Sequence, residues 1–153
     1  MKKSSAELVS NRKAYHNYEI IDTFEAGIAL CGTEVKSLRE HNASLQEAYV
    51  KVLARELWLI GAYVAPYSFG NIHNHEERRD RKLLMHKSEI LKLKKAVQEK
   101  GLTLVPLSLY LKKGIVKIRI ATAKGKKLHD KRAALKKRED DRRMDTMLKF
   151  NKQ

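Results

Sequence analysis

The sequence contains little that would support a disulfide-stabilised or membrane-spanning protein. Cys31 is the only cysteine among 153 residues. Neither an internal disulfide nor a thiolate-rich zinc site can therefore form, which is typical of a reducing compartment. No apolar run approaches the ~20 residues that a membrane-spanning helix needs, and the first residues do not continue into the apolar block of a secretory signal. We expect a cytoplasmic protein without a membrane partner.

Catalytic and nucleotide-binding signatures are also missing. The chain has no Gly-rich phosphate loop, no Gly-x-Ser-x-Gly elbow and no Cys-x-x-Cys pair, so we predict no catalytic residue. The one group that could hold a divalent ion, as in a metal-dependent nuclease, is His73, His75, Glu76 and Asp80. The arginines interleaved with it would repel a cation and attract phosphate. We therefore favour phosphate contacts over a metal site.

Positive charge is what the chain has in excess. Lys and Arg number 33 against 18 Asp and Glu, which gives a formal net charge of +15. Such a field favours an anionic partner, and nucleic acid or an anionic membrane surface would each provide one. An acidic small substrate would not require so much charge.

Alternation of apolar and polar residues predicts six short strands. The first two should form a hairpin that turns at Gly27, and the last two a hairpin that turns at Gly114. Pro106 should bend its strand or lie at an edge, because proline cannot donate to a β ladder. The expected strands are 18–24, 28–30, 48–52, 58–64, 107–111 and 116–121.

Two helices are indicated between these strands. Thr33 can cap a short helix that stops near Asn42. Ser88 can cap a longer helix that ends at Gly101, with Ile90, Leu93 and Val97 on one face. The stretch from 66 to 80 has neither periodicity, so it predicts a long surface loop, a kind of segment that is usually functional.

Each predicted strand has an apolar face that must be covered, and closing the sheet into a barrel achieves this. We therefore predict a mainly β (α+β) domain over residues 1–123. It should be a closed six-stranded antiparallel barrel of the oligonucleotide-binding type, with two or three flanking helices. Periodicity alone does not separate it from other small α+β barrels.

Residues 124–153 differ sharply in composition from the rest of the chain. They contain twelve Lys or Arg against five Asp or Glu, a net of +7. With too few apolar residues for a core of its own, this basic tail should be disordered when free and helical once phosphates screen its charge. The alternative is a tail that only confers solubility.

Specific sequence blocks then carry a family resemblance. There are eight such blocks: Asn11-Arg12-Lys13-Ala14, Glu25-Ala26-Gly27-Ile28, Gly32-Thr33-Glu34-Val35-Lys36-Ser37-Leu38-Arg39, Asn74-His75, Arg81-Lys82-Leu83-Leu84, Val105-Pro106-Leu107, Gly125-Lys126-Lys127 and Asp130-Lys131-Arg132, with the single residues Arg79 and Gly114 in their places between them. From about Asn11 to Arg138, these blocks make the chain resemble the small protein B family, which binds transfer-messenger RNA (tmRNA). Eight blocks in this order at matching spacing leave little room for chance.

The resemblance implies a function in ribosome rescue. Family members bind the tRNA-like domain of tmRNA and escort the alanine-charged RNA, with elongation factor Tu and GTP, to a stalled ribosome for trans-translation. The barrel replaces the missing anticodon arm, and the tail enters the empty mRNA channel near the small-subunit decoding centre and its rRNA. The resemblance implies no enzymatic activity and no cofactor, and we expect a monomer. A general single-strand RNA-binding barrel of translation is the alternative.

Site residues follow from the matched motifs. Asn11 and Glu25 would read base edges or a 2′-hydroxyl, and His86 would stack on or bond to a nucleotide. For Asn11 and Glu25, a purely structural cap or turn role is equally compatible with the residues themselves. The full RNA-binding set is Asn11, Arg12, Lys13, Glu25, Arg79, Arg81, Lys82, Leu84, His86, Lys124, Lys126 and Lys127. The ribosome-contacting tail set is His129, Asp130, Lys131, Arg132, Lys136, Arg138, Met147, Leu148 and Lys149.

Four positions depart from the family pattern. Glu77 and Asp80 stand where many relatives carry proline, so the loop should be less rigid and its cationic field weaker. Asp140 replaces a common aromatic residue, and His129 replaces a frequent tyrosine while keeping a flat ring. The first three changes weaken the contacts that the family motif implies there.

Overall fold

In the computed structural model, residues 6–68 and 74–126 are described, and nearly half of them lie in antiparallel strands. Three helices accompany nine strands within these ranges. In chain order the elements are β1 Ala6–Ser10, α1 Arg12–Asn17, β2 Tyr18–Ile28, α2 Gly32–Arg39, β3 Ala43–Ser44, β4 Tyr49–Leu53, β5 Glu56–Ile60, β6 Tyr63–Val64, β7 Arg81–Leu84, α3 Lys87–Lys100, β8 Thr103–Lys112 and β9 Ile115–Gly125.

Six of the strands form a ring. Around it, β8 pairs with β4, then come β5, β7, β2 and β9, and β9 pairs again with β8, while β1 is added to β8. The β2–β9 and β8–β9 ladders are long, but β4 joins β8 through the single pair Val50–Leu104. A mainly β fold with a few helices is thus confirmed. Closure into an oligonucleotide-binding barrel stays a prediction.

The predicted hairpin at Gly27 is wrong. β2 continues through this position, where Ala26 and Gly27 pair with Ile118 and Lys117 of β9. Gly27 also pairs with Leu84 of β7, and a Cβ built on it would lie 3.3 Å from the Leu84 Cβ. The glycine therefore permits close approach of a neighbouring strand rather than a turn.

Four short elements were not predicted: β1, α1, β3 and β7. Each has two to six residues, too few to show a period. β7 lies between β5 and β2 in the ring and buries Arg81 and Leu83. Its place depends on long-range pairing, because an isolated stretch of this length has no stability of its own.

Helix α3 agrees with its prediction apart from its start and its outer face. It begins at Lys87, with His86 rather than Ser88 in the N-cap position, and ends at Gly101 in the left-handed conformation. Ile90 and Leu93 are buried against the ring, whereas Val97 is exposed. In α2 the N-cap is likewise Cys31 and not Thr33.

Pro106 lies inside β8 at an irregularity in the ladder. The register against β9 shifts between Pro106 and Ser108, which agrees with the expected bend. The Pro106 carbonyl accepts a hydrogen bond of 2.8 Å from the Asn11 side chain. The bulge thus ties β8 to the segment that starts α1.

The end of β9 moves the expected boundary of the tail. Lys124 and Gly125 pair with Glu19 and Tyr18 of β2, and the Lys126 N–H donates to the Asn17 carbonyl. A boundary after residue 123 therefore cuts a paired strand, and the folded unit extends to Lys126. None of the helices in the described ranges is both long and apolar enough to cross a membrane.

Candidate nucleic-acid interface

Three of the predicted RNA-binding residues meet at one cavity. Glu25 from β2, Leu84 from β7 and His86 at the start of α3 line an open cavity of about 420 Å³, together with Lys117 from β9. Leu84 is 52% exposed, so its side chain is accessible at this cavity. The cavity therefore offers a carboxylate, an apolar contact and an imidazole side by side.

The Glu25 carboxylate is held in a fixed orientation. The Tyr110 hydroxyl donates to Glu25 Oε2 at 2.5 Å, and Lys112 Nζ lies 3.2 Å from Oε1. The hydrogen bond from Tyr110 lowers the pKa of Glu25, with further lowering from Lys112 and Lys117, although burial opposes it. Glu25 is thus an ionised acceptor that remains partly open to solvent.

Four residues around Glu25 were not among the predicted sites. They are Tyr110, Lys112, Lys117 and Arg119, and the Arg119 guanidinium lies 5.2 Å from the centre of the Tyr110 ring. The alternation of β9 indicates that Lys117 and Arg119 point outward. The position of Lys117 and Arg119 near the cavity follows only from the strand register, which places Arg119 opposite Glu25.

A second basic region surrounds α1. Arg12 and Lys13 are exposed on this helix, and Lys126 Nζ donates to the Tyr15 carbonyl at 3.3 Å. Lys124, which pairs with the start of β2, is also exposed. The structure therefore brings these predicted residues together, at the end of β2 that lies roughly 25 Å from Glu25.

Asn11 is buried in the structure, with only 3% of its surface exposed. Its Nδ2 donates to the Pro106 carbonyl and its N–H donates to the Leu107 carbonyl, both at 2.8 Å. Among the described residues its Oδ1 has no hydrogen-bond partner, and Asn11 lines a cavity of about 210 Å³ beside Lys13 and Tyr18. These contacts support the structural role, and contact with RNA stays a prediction.

The expectation that Arg81 grips phosphate needs correction. Arg81 is 1% exposed, and its Nε donates to Glu34 Oε2 at 2.6 Å. Arg79, 30% exposed, donates from Nη2 to Oε1 of the same carboxylate at 2.6 Å. Because a guanidinium buried on an internal carboxylate cannot meet a phosphate, Arg81 is a structural residue. Arg79 keeps only part of its surface for a partner.

Glu34 is the residue that organises these two arginines. It is fully buried in α2. Burial raises the pKa of its carboxyl, but hydrogen bonds from Arg79 and the Cys31 N–H, with the charge of Arg81, outweigh burial and lower the pKa overall. Local sequence patterns do not indicate this role of Glu34, because its partners Arg79 and Arg81 lie 45 and 47 residues away.

The loop before β7 is fastened from several sides. Arg81 Nη1 donates to the Ala62 and Arg79 carbonyls, and its Nη2 donates to the Glu77 carbonyl. Glu77 thus contributes through its backbone, and its place in a position where relatives carry proline does not leave this part of the loop unsupported.

His75 is held by two hydrogen bonds. Its Nε2 lies 2.9 Å from the Val64 carbonyl and its Nδ1 lies 2.8 Å from the Thr33 hydroxyl. Since a carbonyl only accepts, Nε2 donates to Val64, and Nδ1 makes the second hydrogen bond with the Thr33 hydroxyl. Both ring nitrogens are occupied, so His75 connects the loop to α2. In the described ranges no three ligands converge as a metal site would require, and His73 lies outside those ranges.

Of the remaining predicted residues, Lys82 is partly exposed and the others lie outside the described part of the chain. Lys82 lies 3.4 Å from Glu56, with both side chains nearly half exposed, so it is accessible to an anionic partner. Outside the described residues lie Lys127 and the tail set His129, Asp130, Lys131, Arg132, Lys136, Arg138, Met147, Leu148 and Lys149, together with Asp140.

Comparison with known proteins gives consistent matches over nearly the whole chain. The SsrA-binding protein of Protochlamydia amoebophila is 66% identical over 149 residues, 97% of each chain. The SsrA-binding protein of Chlamydia muridarum is 56% identical, over 95% of this chain and 97% of its own. A solved structure described as "tmRNA-SmpB: a journey to the center of the bacterial ribosome" is 47% identical. It matches with a TM-score of 0.67, over 80% of this chain and 87% of the other.

The blocks noted in the sequence are thus part of a match that extends through both folded and basic regions. The family model described as SmpB protein covers residues 8–150, which includes the cavity at Glu25, the α1 region and the tail. The chain therefore belongs to the SmpB protein family.

Proposed function

We propose that this protein binds the tRNA-like domain of tmRNA and delivers it to stalled ribosomes for trans-translation. The observation that carries the proposal is the convergence of Glu25, Leu84 and His86 on one open cavity with basic side chains beside it. The relatives named SsrA-binding protein and the related tmRNA–SmpB structure support the same partners.

The cavity has the chemistry to recognise an unpaired nucleotide. The oriented Glu25 carboxylate can accept a hydrogen bond from a base N–H or a 2′-hydroxyl. Leu84 supplies an apolar surface for a base or ribose, and His86 supplies a ring for stacking. Lys112 and Lys117 offset the repulsion between the carboxylate and nearby phosphates, because each places a positive charge beside it.

The basic region around α1 would hold a second stretch of the same RNA. Arg12, Lys13, Lys124 and Lys126 can neutralise phosphates without reading sequence. The two contact regions lie roughly 25 Å apart along β2, so one RNA would have to span both. The preference for a tRNA-like ligand over a general single strand is supported by the relatives named SsrA-binding protein and by the related tmRNA–SmpB structure.

The finer parts of the proposal concern the scaffold and the tail. The ring of six strands would act as a closed oligonucleotide-binding barrel, and the protein as a cytoplasmic monomer without enzymatic activity. Alanyl-tmRNA would travel with elongation factor Tu and GTP. The basic tail beyond Lys126 would become helical in the empty mRNA channel and contact rRNA near the decoding centre of the small subunit.

A binding experiment with one matched pair of variants tests the cavity. The full chain is titrated with a labelled tRNA-like domain, with bulk tRNA as competitor. Lys117→Gln should weaken binding and lower the log-log salt slope by about one. Lys113→Gln, an exposed lysine at the hairpin turn outside the cavity, should change neither. If bulk tRNA competes as well as the unlabelled tRNA-like domain, the protein is a general RNA binder and the proposal fails.

A further inference from the structure

An open groove lies between α3 and the β4–β5 hairpin, and it shares no lining residue with the Glu25 cavity. It consists of two adjoining cavities of about 380 and 310 Å³ that share Val52 and Lys94. Its walls come from β4, the hairpin turn, α3 and the start of β8. The lining residues are Val50, Lys51, Val52, Arg55, Lys87, Ile90, Leu91, Lys94, Val97, Gln98, Leu102, Thr103 and Leu104.

Two apolar side chains of this groove, Leu91 and Val97, are not buried in the core. α3 packs on the ring through Ile90 and Leu93, whereas Leu91 is 53% exposed and Val97 is also exposed. Lys87, Leu91, Lys94 and Gln98 follow one another at intervals of four, three and four residues, so they form one stripe along the helix. An apolar surface bordered by polar side chains marks an interaction site more often than isolated exposed leucines do.

The charges at the groove have one sign. Lys51, Arg55, Lys87 and Lys94 line it, and no acidic side chain does. Within the described part of the chain, none of these four takes part in an ion pair. A partner must therefore bring both apolar and acidic groups to fill the groove and neutralise its walls.

Other occupants fit less well. Proteins commonly bind unpaired bases by stacking them on aromatic rings. None of the residues that line the groove is aromatic. The chain's own tail, with a net charge of +7, and a second copy, with +15, are as whole units less suited to this basic groove than an acidic partner. The occupant that fits best is a protein segment with one apolar face and acidic side chains beside it.

We propose that this groove binds an acidic amphipathic helix of a protein partner. The stripe from Lys87 to Gln98 is about 17 Å long, which matches three turns of a helix laid along α3. Leucine-like residues of the partner would lie over Leu91 and Val97, and its carboxylates would face Lys87 and Lys94, as in other helix-in-groove complexes. This partner is additional to tmRNA and would leave the Glu25 cavity free.

The probe is a synthetic acidic amphipathic peptide of about 16 residues, with leucines at helical spacing and glutamates on both flanks. Binding of the fluorescent peptide to the full-length protein is followed by anisotropy. Leu91→Glu should weaken binding about tenfold or more, because it removes the central apolar contact and adds a like charge. Ile115→Glu, at a residue that is 60% exposed but outside the groove, should leave affinity unchanged. Thermal unfolding of both variants controls for folding.

Four results would overturn the proposal. A peptide of the same composition in scrambled order could bind as tightly, which would reduce the interaction to net charge. The peptide could fail to bind, or bind Leu91→Glu as well as the parent chain. Finally, Leu91→Glu could weaken binding to the tRNA-like domain or to anionic phospholipid vesicles instead of the peptide, which would assign the groove to RNA or to a membrane surface.

Discussion

Replacing Glu34 by glutamine should destabilise the fold strongly, because it leaves Arg81 without its counterion. Arg81 is buried and bonded to the Glu34 carboxylate, and it also holds the Ala62 and Glu77 carbonyls. Glutamine keeps the shape of the side chain but carries no charge. The guanidinium cannot lose its proton at neutral pH, so Glu34→Gln creates an uncompensated buried charge.

Breaking a buried ion pair from one side costs about 3–5 kcal/mol. We assign most of this cost to Arg81. Arg79 is nearly one-third exposed, so solvent screening limits its share to about 1 kcal/mol at most. Because small domains are stable by only about 5–15 kcal/mol, the variant should fold but unfold at much lower denaturant concentration.

The assay is urea unfolding at neutral pH, with Glu56→Gln as the matched control. Glu56 pairs with Lys82 at 3.4 Å on the surface, so its loss should cost less than about 1 kcal/mol. The double variant Glu34→Gln, Arg81→Gln should be less destabilised than the sum of the single variants, because residue 81 then carries no unpaired buried charge. Equal costs for Glu34→Gln and Glu56→Gln would refute the reasoning.

The pH dependence of stability provides a second test of the same ion pair. The folded-state pKa of Glu34 is lowered, so its stabilising contribution is complete above the ordinary carboxyl range and is lost as pH falls through the folded value. The difference in unfolding free energy between the parent chain and Glu34→Gln should therefore shrink below about pH 4. A difference that stays constant into strong acid would contradict this linkage.

Three further predictions concern RNA binding and the tail. Tyr110→Phe removes the hydrogen bond that orients Glu25. The free energy of binding to the tRNA-like domain, measured by titration, should become less favourable by about 1 kcal/mol while the fold persists; unchanged affinity would argue against an oriented carboxylate. Asn11→Ala should lower the free energy of unfolding by about 1 kcal/mol, measured in urea, through loss of its bond to Pro106; loss of RNA affinity without loss of stability would reverse that assignment. Truncation after Lys126 keeps β9 intact, so RNA affinity should remain mostly unchanged while peptidyl transfer to the charged RNA on stalled ribosomes is abolished; equal loss of both activities would contradict the division of roles.

Local sequence patterns predicted the elements whose structure depends on residues that are close together in the sequence. α3 has a clear apolar stripe and ends at Gly101, where a positive φ of 65° needs a residue tolerant of that conformation. The hairpin that joins β8 and β9 has strong alternation on both sides of Gly114. For such elements the residues that determine the structure are neighbours in sequence, so periodicity is sufficient.

The same reasoning went wrong at Gly27, where local chemistry has two interpretations. A glycine between apolar stretches is compatible with a turn or with a strand crossed closely by another strand. Only the approach of Leu84, 57 positions later in the numbering, selects the second. Arg81 shows the same limit, because its basic side chain in a charged loop predicts an exposed phosphate contact until Glu34 is placed beside it.

The sequence by itself determined the class of ligand, the β-rich character of the domain and the family, and through the family motifs it indicated three of the residues that meet at the cavity, Glu25, Leu84 and His86. Composition and ordered motifs are properties of the chain, and they do not depend on which strands pair. Tertiary structure alone decided which cations are available. It buried Arg81 on Glu34, placed Lys117 and Arg119 beside Glu25, and left the groove along α3 uncovered. Exposure and proximity arise from contacts between residues far apart in sequence, which a local pattern does not contain.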